Sequence, residues 1–325
     1  MTVPAVLNRL RLPVIAAPLF IISNPNLVIA QCKAGVVGSF PALNARPEPV
    51  LEEWIKRIKD ALAEHDAAHP DRPAAPYAVN QIVHRSNDRL MHDVEMCVRH
   101  EVPVVITSLG AREEVNQAVH SYGGIVLHDV INDAFARKAV AKGADGLVAV
   151  AAGAGGHAGT TSPFALVQEI RTWFTGPLAL SGAIATGDAV LAAQAAGADF
   201  AYVGSAFIAT EEANASPGYK QMLVDGAADD IVYTNLITGI HGNYLKASLV
   251  AAGLDPDNLP VGDPSAMNFS RGDNKKAWKD IWGSGQGIGA VRSVVPAAAL
   301  VARLADEYAN ARARLGLAMA PAWAA

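Results

Sequence analysis

The chain has 325 residues, 51% of them hydrophobic, and a formal net charge of −5. So large an apolar fraction supports an extensive core and excludes a disordered chain. The acidic balance and the absence of charge runs exclude a basic nucleic-acid footprint.

The N-terminal stretch Met1–Val14 lacks the cationic region and long apolar segment of a signal peptide. Apolar runs are broken by Gly, Pro or charge within about ten residues, short of the ~20 that span a bilayer. A soluble, cytoplasmic protein with no membrane partner is expected. The two cysteines, Cys32 and Cys97, fall on predicted helices and read as buried thiols. With no CxxC, HxH or HExxH spacing, no metal site is expected.

From residue 13 to about 204, short β-branched runs alternate with longer amphipathic stretches. The first strand is Val14–Pro18, followed by a helix over Asn24–Ala34. Val36–Phe40 is the second strand, and a helix runs from Pro47 to about Glu64, where Val50, Leu51, Trp54, Ile55, Ile58 and Leu62 recur at helical spacing. Tyr77–Ile82 leads to a helix over Ser86–His100. Val102–Leu109 leads to Arg112–Tyr122, and Ile125–His128 leads to Asn132–Lys142. The sixth strand, ending at Val150, enters a glycine-rich loop before a helix over Pro163–Phe174. The seventh, Leu178–Ser181, precedes a helix over Gly187–Ala196, and the eighth is Phe200–Gly204.

Eight strand–helix periods with strands apolar on both faces predict an α/β fold, a (β/α)8 TIM barrel, over an open doubly wound sheet. Gly35, Gly143 and Gly197 punctuate helix ends as left-handed caps. Residues 210–280 are rich in Pro, Asn and Asp. They read as an irregular, partly helical insertion after strand 8, with helices at about Gly218–Ala227 and Tyr244–Ala252. An amphipathic helix over 288–315 would complete the eighth period. The barrel is thus 1–209 completed by 281–316, the insertion 210–280, and the tail 317–325.

Active sites of such barrels form at the carboxyl ends of the strands. Those ends carry Ala17 and Pro18, Asn80, Ser108, His128 and Asp129, Gly182, and Gly204 with Ser205. The sixth loop, Ala151–Gly159, holds four glycines and four alanines around one imidazole, His157. So many residues without side chains suggest a flat ligand against the backbone, with His157 placed to move a proton. Ser181–Gly187 and Val203–Phe207 suit a phosphate through backbone N–H groups, with Gly182, Gly204 and the Ser205 hydroxyl closest to it. Ordinary tight turns are the alternative. Asn80 either satisfies a strand-end amide or bonds a polar ring edge. His241 either touches substrate or caps a helix. His65, His69, His84, His92, His100 and His120 lie in polar surroundings and are expected to be solvated.

Gly155-Gly156-His157-Ala158-Gly159 resembles the GGHxG signature of the nitronate monooxygenase family, the former 2-nitropropane dioxygenases. The resemblance extends through Pro13–Pro18, Asn80, Ser181–Gly187, Gly204–Phe207 and Trp282–Gly287, so it spans nearly the whole chain. It implies an FMN-dependent oxidoreductase that converts alkyl nitronates and O2 to a carbonyl compound and nitrite. The flavin phosphate would meet Gly182, Ala183, Gly204 and Ser205. The ring would lie near Ala17, Pro18, Asn80 and Gly155, with Gln286 beside the cofactor. His157 would be the general base, and His128, His241 and Tyr244 would face the substrate. NAD(P)H as electron donor and a homodimeric assembly stay open under the same resemblance. The chain departs from the family pattern at Val150, where Gln is frequent, at Gly153-Ala154, at Asp129, where some relatives have Lys, and at Ala183, where Gly is usual. Two alternatives share the fold: an NAD(P)H-dependent FMN reductase of quinones or enoyl thioesters, and a barrel that binds a phosphate ligand without redox chemistry.

Overall fold

A computed structural model describes residues 3–263 and 281–317. Eight parallel strands form the central sheet: β1 (Val14–Ala16), β2 (Gly38–Pro41), β3 (Tyr77–Ile82), β4 (Val104–Ser108), β5 (Ile125–Val130), β6 (Gly146–Val150), β8 (Leu178–Ser181) and β9 (Phe200–Val203). A short strand, β7 (Gly156–His157), falls inside the glycine loop and lies outside this sheet. The order is β1-β9-β8-β6-β5-β4-β3-β2. Its two ends meet, since Ile15 bridges Val37 and the Ala16 N–H donates to the Val37 carbonyl at 2.8 Å. The sheet therefore closes into the predicted barrel.

Between the strands run α1 (Pro25–Ala34), α2 (Val50–Ala68), α3 (Leu90–Arg99), α4 (Glu113–His120), α5 (Asp133–Ala141), α6 (Pro163–Arg171) and α7 (Gly187–Ala196). Local chemistry sets their limits. Asn24 caps α1 by accepting from the Asn26 N–H at 2.8 Å, Pro25 opens it, and Gly35 at φ 94° ends it. Two helix exits run Gly143-Ala144-Asp145 and Gly197-Ala198-Asp199, and their aspartates have a structural role. Asp145 accepts from the Val126 N–H at 2.7 Å and Asp199 from the Leu178 N–H at 2.9 Å, which ties each helix exit to a neighbouring strand. Both cysteines are buried free thiols, and burial pushes each up to about 12.

Strand alternation divides the core. Ile15, Ala78, Val104, Ile106, Leu127, Val148 and Ala179 fill the barrel, and Leu7 and Leu10 join them from its amino-terminal end. The opposite parity packs against the helices.

After β9 the chain forms α8 (Ser205–Ile208), α9 (Pro217–Asp225), β10 (Ile231–Thr234), β11 (Gly242–Leu245) and α10 (Lys246–Ala251). The expected helix over Tyr244–Ala252 thus begins as strand. Gly242–Leu245 pairs with β10 on one side and with β7 on the other, and the pairing with β7 requires Gly242: a Cβ there would meet the Gly156 carbonyl at 2.8 Å. The expected helix over 288–315 is also shorter. Residues Gln286–Ala290 form a 3-10 turn, Pro296 interrupts, and α11 spans Ala297–Arg314. It packs between α1 and α7. The insertion beyond residue 263 and the tail beyond 317 lie outside the described residues.

Candidate active site

A cavity of about 1000 Å³ opens at the carboxyl ends of the barrel strands. It is lined by Ala17, Pro18, Asn80, Gly155, His157, Gly182, Ala183, Gly204, Ser205 and His241, among others. Ten residues singled out from the sequence therefore share one wall system. Their convergence follows from the barrel: parallel strands deliver every βα loop to the same end.

The glycine loop is held on two sides. β7 pairs with β11, matching His157 with Gly242. The Asn243 amide donates to the Ala154 carbonyl at 2.6 Å, and the Gln286 N–H donates to the Gly153 carbonyl at 2.9 Å. The Gly155 position has a structural reason the sequence did not reveal. A Cβ there would meet the Gly285 nitrogen at 2.8 Å, so Gly155 is small because the 284–285 backbone packs against it. Gly182 is similar: at φ 141°, its missing Cβ would lie 2.7 Å from the Ala152 carbonyl.

His157 Nε2 lies 3.0 Å from the Thr238 hydroxyl. That hydroxyl has one proton, and the Ile240 carbonyl lies 3.0 Å away to receive it. Its oxygen accepts from the Ile240 N–H at 3.3 Å and has a second lone pair for Nε2–H, an assignment that makes Nδ1 the basic nitrogen. Burial in apolar surroundings lowers His157 to about 4, so the ring is neutral near pH 7. Thr238 escaped the sequence reading because it stands 81 residues away, with no motif of its own.

A second polar group lies on the floor. Asn80 Nδ2 donates to the Ile106 carbonyl at 3.1 Å and to the Ser108 hydroxyl at 2.8 Å. Ser108 in turn donates to Asp129 Oδ2 at 2.6 Å. Asp129 Oδ1 and the Tyr202 hydroxyl are buried without hydrogen-bond partners among the described residues. Both residues line the cavity. Burial pushes the Asp129 carboxyl up to about 7, with the Ser108 bond opposing the rise. Burial also raises Tyr202, helped by the nearby charge position at Asp129.

Several expectations are corrected. Tyr244 is 0% exposed and packs with Leu249 and Ile281 instead of lining the cavity. Gln286 also stands off the cavity; its side chain backs Gly153, whose added Cβ would meet Gln286 Oε1 at 2.9 Å. His128 touches the cavity wall but shares the helix-facing parity of Val126 and Val130. Its Nδ1 is 2.6 Å from the Thr107 hydroxyl, and burial lowers it to about 4. The inward residue of that pair is Asp129. Ser205 spends an acceptor on the Gly285 N–H at 2.9 Å. His84 is half-buried on the cavity wall and within 2.8 Å of the Ser86 hydroxyl, so it is not a solvated surface histidine. His100 is likewise mostly covered, beside Glu52 at 3.2 Å.

At the mouth stand Arg46, Arg85 and Lys138, on the side of the barrel across from the β8 and β9 loops. His241 stacks on Tyr233 with ring centroids 5.0 Å apart, and Trp282 stacks on Tyr219 at 4.8 Å. Among the described residues no group of three His, Cys, Asp or Glu side chains is placed to hold a metal, and no helix is long and apolar enough to cross a membrane.

Comparison with known proteins gives the site a family. The family model described as nitronate monooxygenase matches residues 5–307. A nitronate monooxygenase of Paraburkholderia phytofirmans is 27% identical, covering 91% of this chain and 92% of its own length. Among solved structures, nitroalkane oxidase from Streptomyces ansochromogenes superposes with a TM-score of 0.80 at 23% identity, covering 96% of this chain and all (100%) of that one. FabK from Thermotoga maritima superposes with a TM-score of 0.75 at 22% identity, covering 96% of both chains. At these identities the two structures speak for the barrel fold.

Proposed function

The chain belongs to the nitronate monooxygenase family of FMN-dependent oxidoreductases, and from that premise we propose that its cavity holds FMN and oxidises alkyl nitronates with O2 to a carbonyl compound and nitrite. The observation that carries this reading is the placement of His157 on one wall of the cavity whose other walls include the β8 and β9 loops.

The residues present fit the cofactor. A cavity of about 1000 Å³ is large enough for a flavin and a small substrate together. Its phosphate end would be Gly182, Ala183, Gly204 and Ser205, a backbone-rich cradle with no acidic side chain among those four. Ala17 and Pro18 offer a flat apolar edge for the ring, and Asn80 and Asp129 offer polar groups to its rim. FMN, when bound, supplies an acceptor for the substrate's two electrons and a route for them to O2.

The chain's own residues supply positioning and proton transfer. Neutral His157 takes the α-proton from a nitroalkane at Nδ1, while Thr238 holds Nε2. A preformed nitronate has already lost that proton and needs His157 only for orientation. Trp282, Tyr219 and Ile240 wall the site and exclude water. His241 stands at the mouth, where a substrate tail would pass.

The test separates these two substrates. His157→Ala should retain FMN, lose about 10²–10⁴-fold in turnover of neutral nitroalkane, and keep most of its turnover of the nitronate. Unchanged nitroalkane turnover would remove His157 from the role of base. The phosphate assignment is tested best at Gly204, since Gly182 is already constrained by the Ala152 carbonyl. A Cβ at Gly204 meets only ordinary contacts, Ala17 Cβ at 3.5 Å and Leu19 Cδ2 at 3.6 Å. Gly204→Val should therefore fold and bind FMN about tenfold or more weakly, and full flavin content would contradict the assignment.

A further inference from the structure

The floor of the cavity contains a polar chain that the reaction as described leaves unused. It crosses three adjacent strands, from Asn80 on β3 through Ser108 on β4 to Asp129 on β5, with bonds of 2.8 and 2.6 Å. Tyr202 reaches the same floor from β9. Two atoms at its far end, Asp129 Oδ1 and the Tyr202 hydroxyl, are buried and have no hydrogen-bond partner among the described residues. Buried polar atoms without partners are uncommon in a finished core and mark a place where a proton, water or ligand completes the set.

We propose that Asp129 carries its proton and is a floor contact for the ring of FMN, with Asn80, Ser108 and Tyr202 as the positioning residues that hold it there. The assignment rests on FMN being the group in the cavity.

Three observations support it. First, no Lys or Arg among the described residues forms an ion pair with Asp129; its partner is a neutral hydroxyl. A carboxylate in such surroundings loses hydration without gaining a counter-charge, and protonation is its cheapest response. Second, Ser108 donates to Oδ2, so the acid's own proton belongs on Oδ1, the atom that otherwise lacks a partner. Third, a flavin ring has carbonyl oxygens and ring nitrogens along one edge, and it becomes more negative on reduction. A protonated carboxyl can donate to that edge, whereas a carboxylate would repel it.

The consequence is a pH dependence of flavin binding. Burial places the carboxyl at about 7, and a ring that accepts from it binds the protonated form. Raising the pH through that value removes the donor and leaves a charge under the ring, so affinity falls with rising pH. The groups facing Asp129 do not imitate this change. His128 and His157 are held neutral by burial down to about 4, and Tyr202 is pushed above the ordinary phenol range. Ser108 and Asn80 carry no charge. Arg46, Arg85, Lys138, His84 and His241 line the same cavity toward its mouth and remain in every variant below.

The experiment is fluorescence titration of flavin-free protein with FMN, well below and well above about pH 7. Wild type should bind about tenfold more weakly at the higher pH. Asp129→Asn, which stays neutral and can still donate, should keep the low-pH affinity at both values. Asp129→Ala should bind about tenfold more weakly throughout. Ser108→Ala removes the bond that favours the ionised form. It should move the break in affinity to higher pH, a change that simple loosening of the floor, which weakens binding equally at every pH, would not produce. Parallel pH curves for wild type and Asp129→Asn would overturn the proposal, as would wild-type affinity in Asp129→Ala. Failure of wild type to bind FMN at either pH would instead overturn the cofactor assignment.

Discussion

His157 and Thr238 meet at 3.0 Å across 81 residues of sequence, and in the proposed reaction that contact sets which imidazole nitrogen acts as the base. The Thr238 hydroxyl is shared between His157 and the Ile240 carbonyl, so a residue without a hydroxyl frees the ring to flip its tautomer or rotate. Thr238→Val should retain FMN and lower turnover of neutral nitroalkane by about tenfold, with Thr238→Ser restoring most of it. Equal rates for Val and wild type would show that the contact does not orient the base. The pH profile follows from the same surroundings. Burial lowers His157 to about 4, so its unprotonated form is present across neutral pH and is lost only as pH falls through about 4. The acid limb of nitroalkane turnover should lie there, and a limb at the ordinary imidazole position would place the base in a wetter site. At this scale the sequence was partly legible. His157 stood out because alanines and glycines leave an imidazole nothing else to do. Thr238 and Tyr202 did not: Thr238 reaches His157 from the turn between β10 and β11, and Tyr202 comes to the floor near Asp129 only when the barrel closes. Asp129 was visible at a strand end, but its proposed protonation depends on there being no ion-pairing cation beside it among the described residues, which no local pattern records.

Among elements, the pairing of β7 with β11 binds the insertion to the glycine loop that carries His157. Gly242 lies so close to Gly156 that a Cβ would stand 2.8 Å from its carbonyl oxygen. Gly242→Val should pry the three-stranded sheet apart and displace His157. Turnover of nitroalkane should fall about 10²-fold while FMN affinity changes little, because the loops proposed to hold the flavin belong to β8 and β9. Equal losses in turnover and FMN affinity would show that the small sheet supports the whole cavity. This sheet is the part of the fold that was least legible. The barrel strands announce themselves as apolar runs because both faces are buried. β10 and β11 are four residues each and β7 is two, and the pairing of β11 with β7 joins residues more than 80 apart. Tyr244 therefore read as the start of a helix and as a substrate contact, when it is a buried strand residue.

For the molecule as a whole, the barrel is completed by a helix from the far end of the chain. α11 lies between α1 and α7, and Leu304 on it is 0% exposed. Gly187 at the start of α7 leaves room for the α11 backbone near Leu304 and Tyr308. Leu304→Ala should cost about 2–5 kcal/mol, read from the shift in urea midpoint at unchanged slope. A cost below about 1 kcal/mol would mean that α11 contributes little to the closed barrel. The period of eight was legible from strand chemistry alone, and the resemblance carried by Gly155–Gly159 joined it to a family that the match over residues 5–307 establishes. In the proposed reaction electrons enter this site from a nitronate and leave to O2. Anaerobic mixing of the flavin-loaded protein with the nitronate of 2-nitropropane, and separately with NADH, tests it most directly. Bleaching of the flavin absorbance by the nitronate, with colour returning and nitrite accumulating when O2 is admitted, is the predicted result. Bleaching by NADH with none by the nitronate would contradict the account.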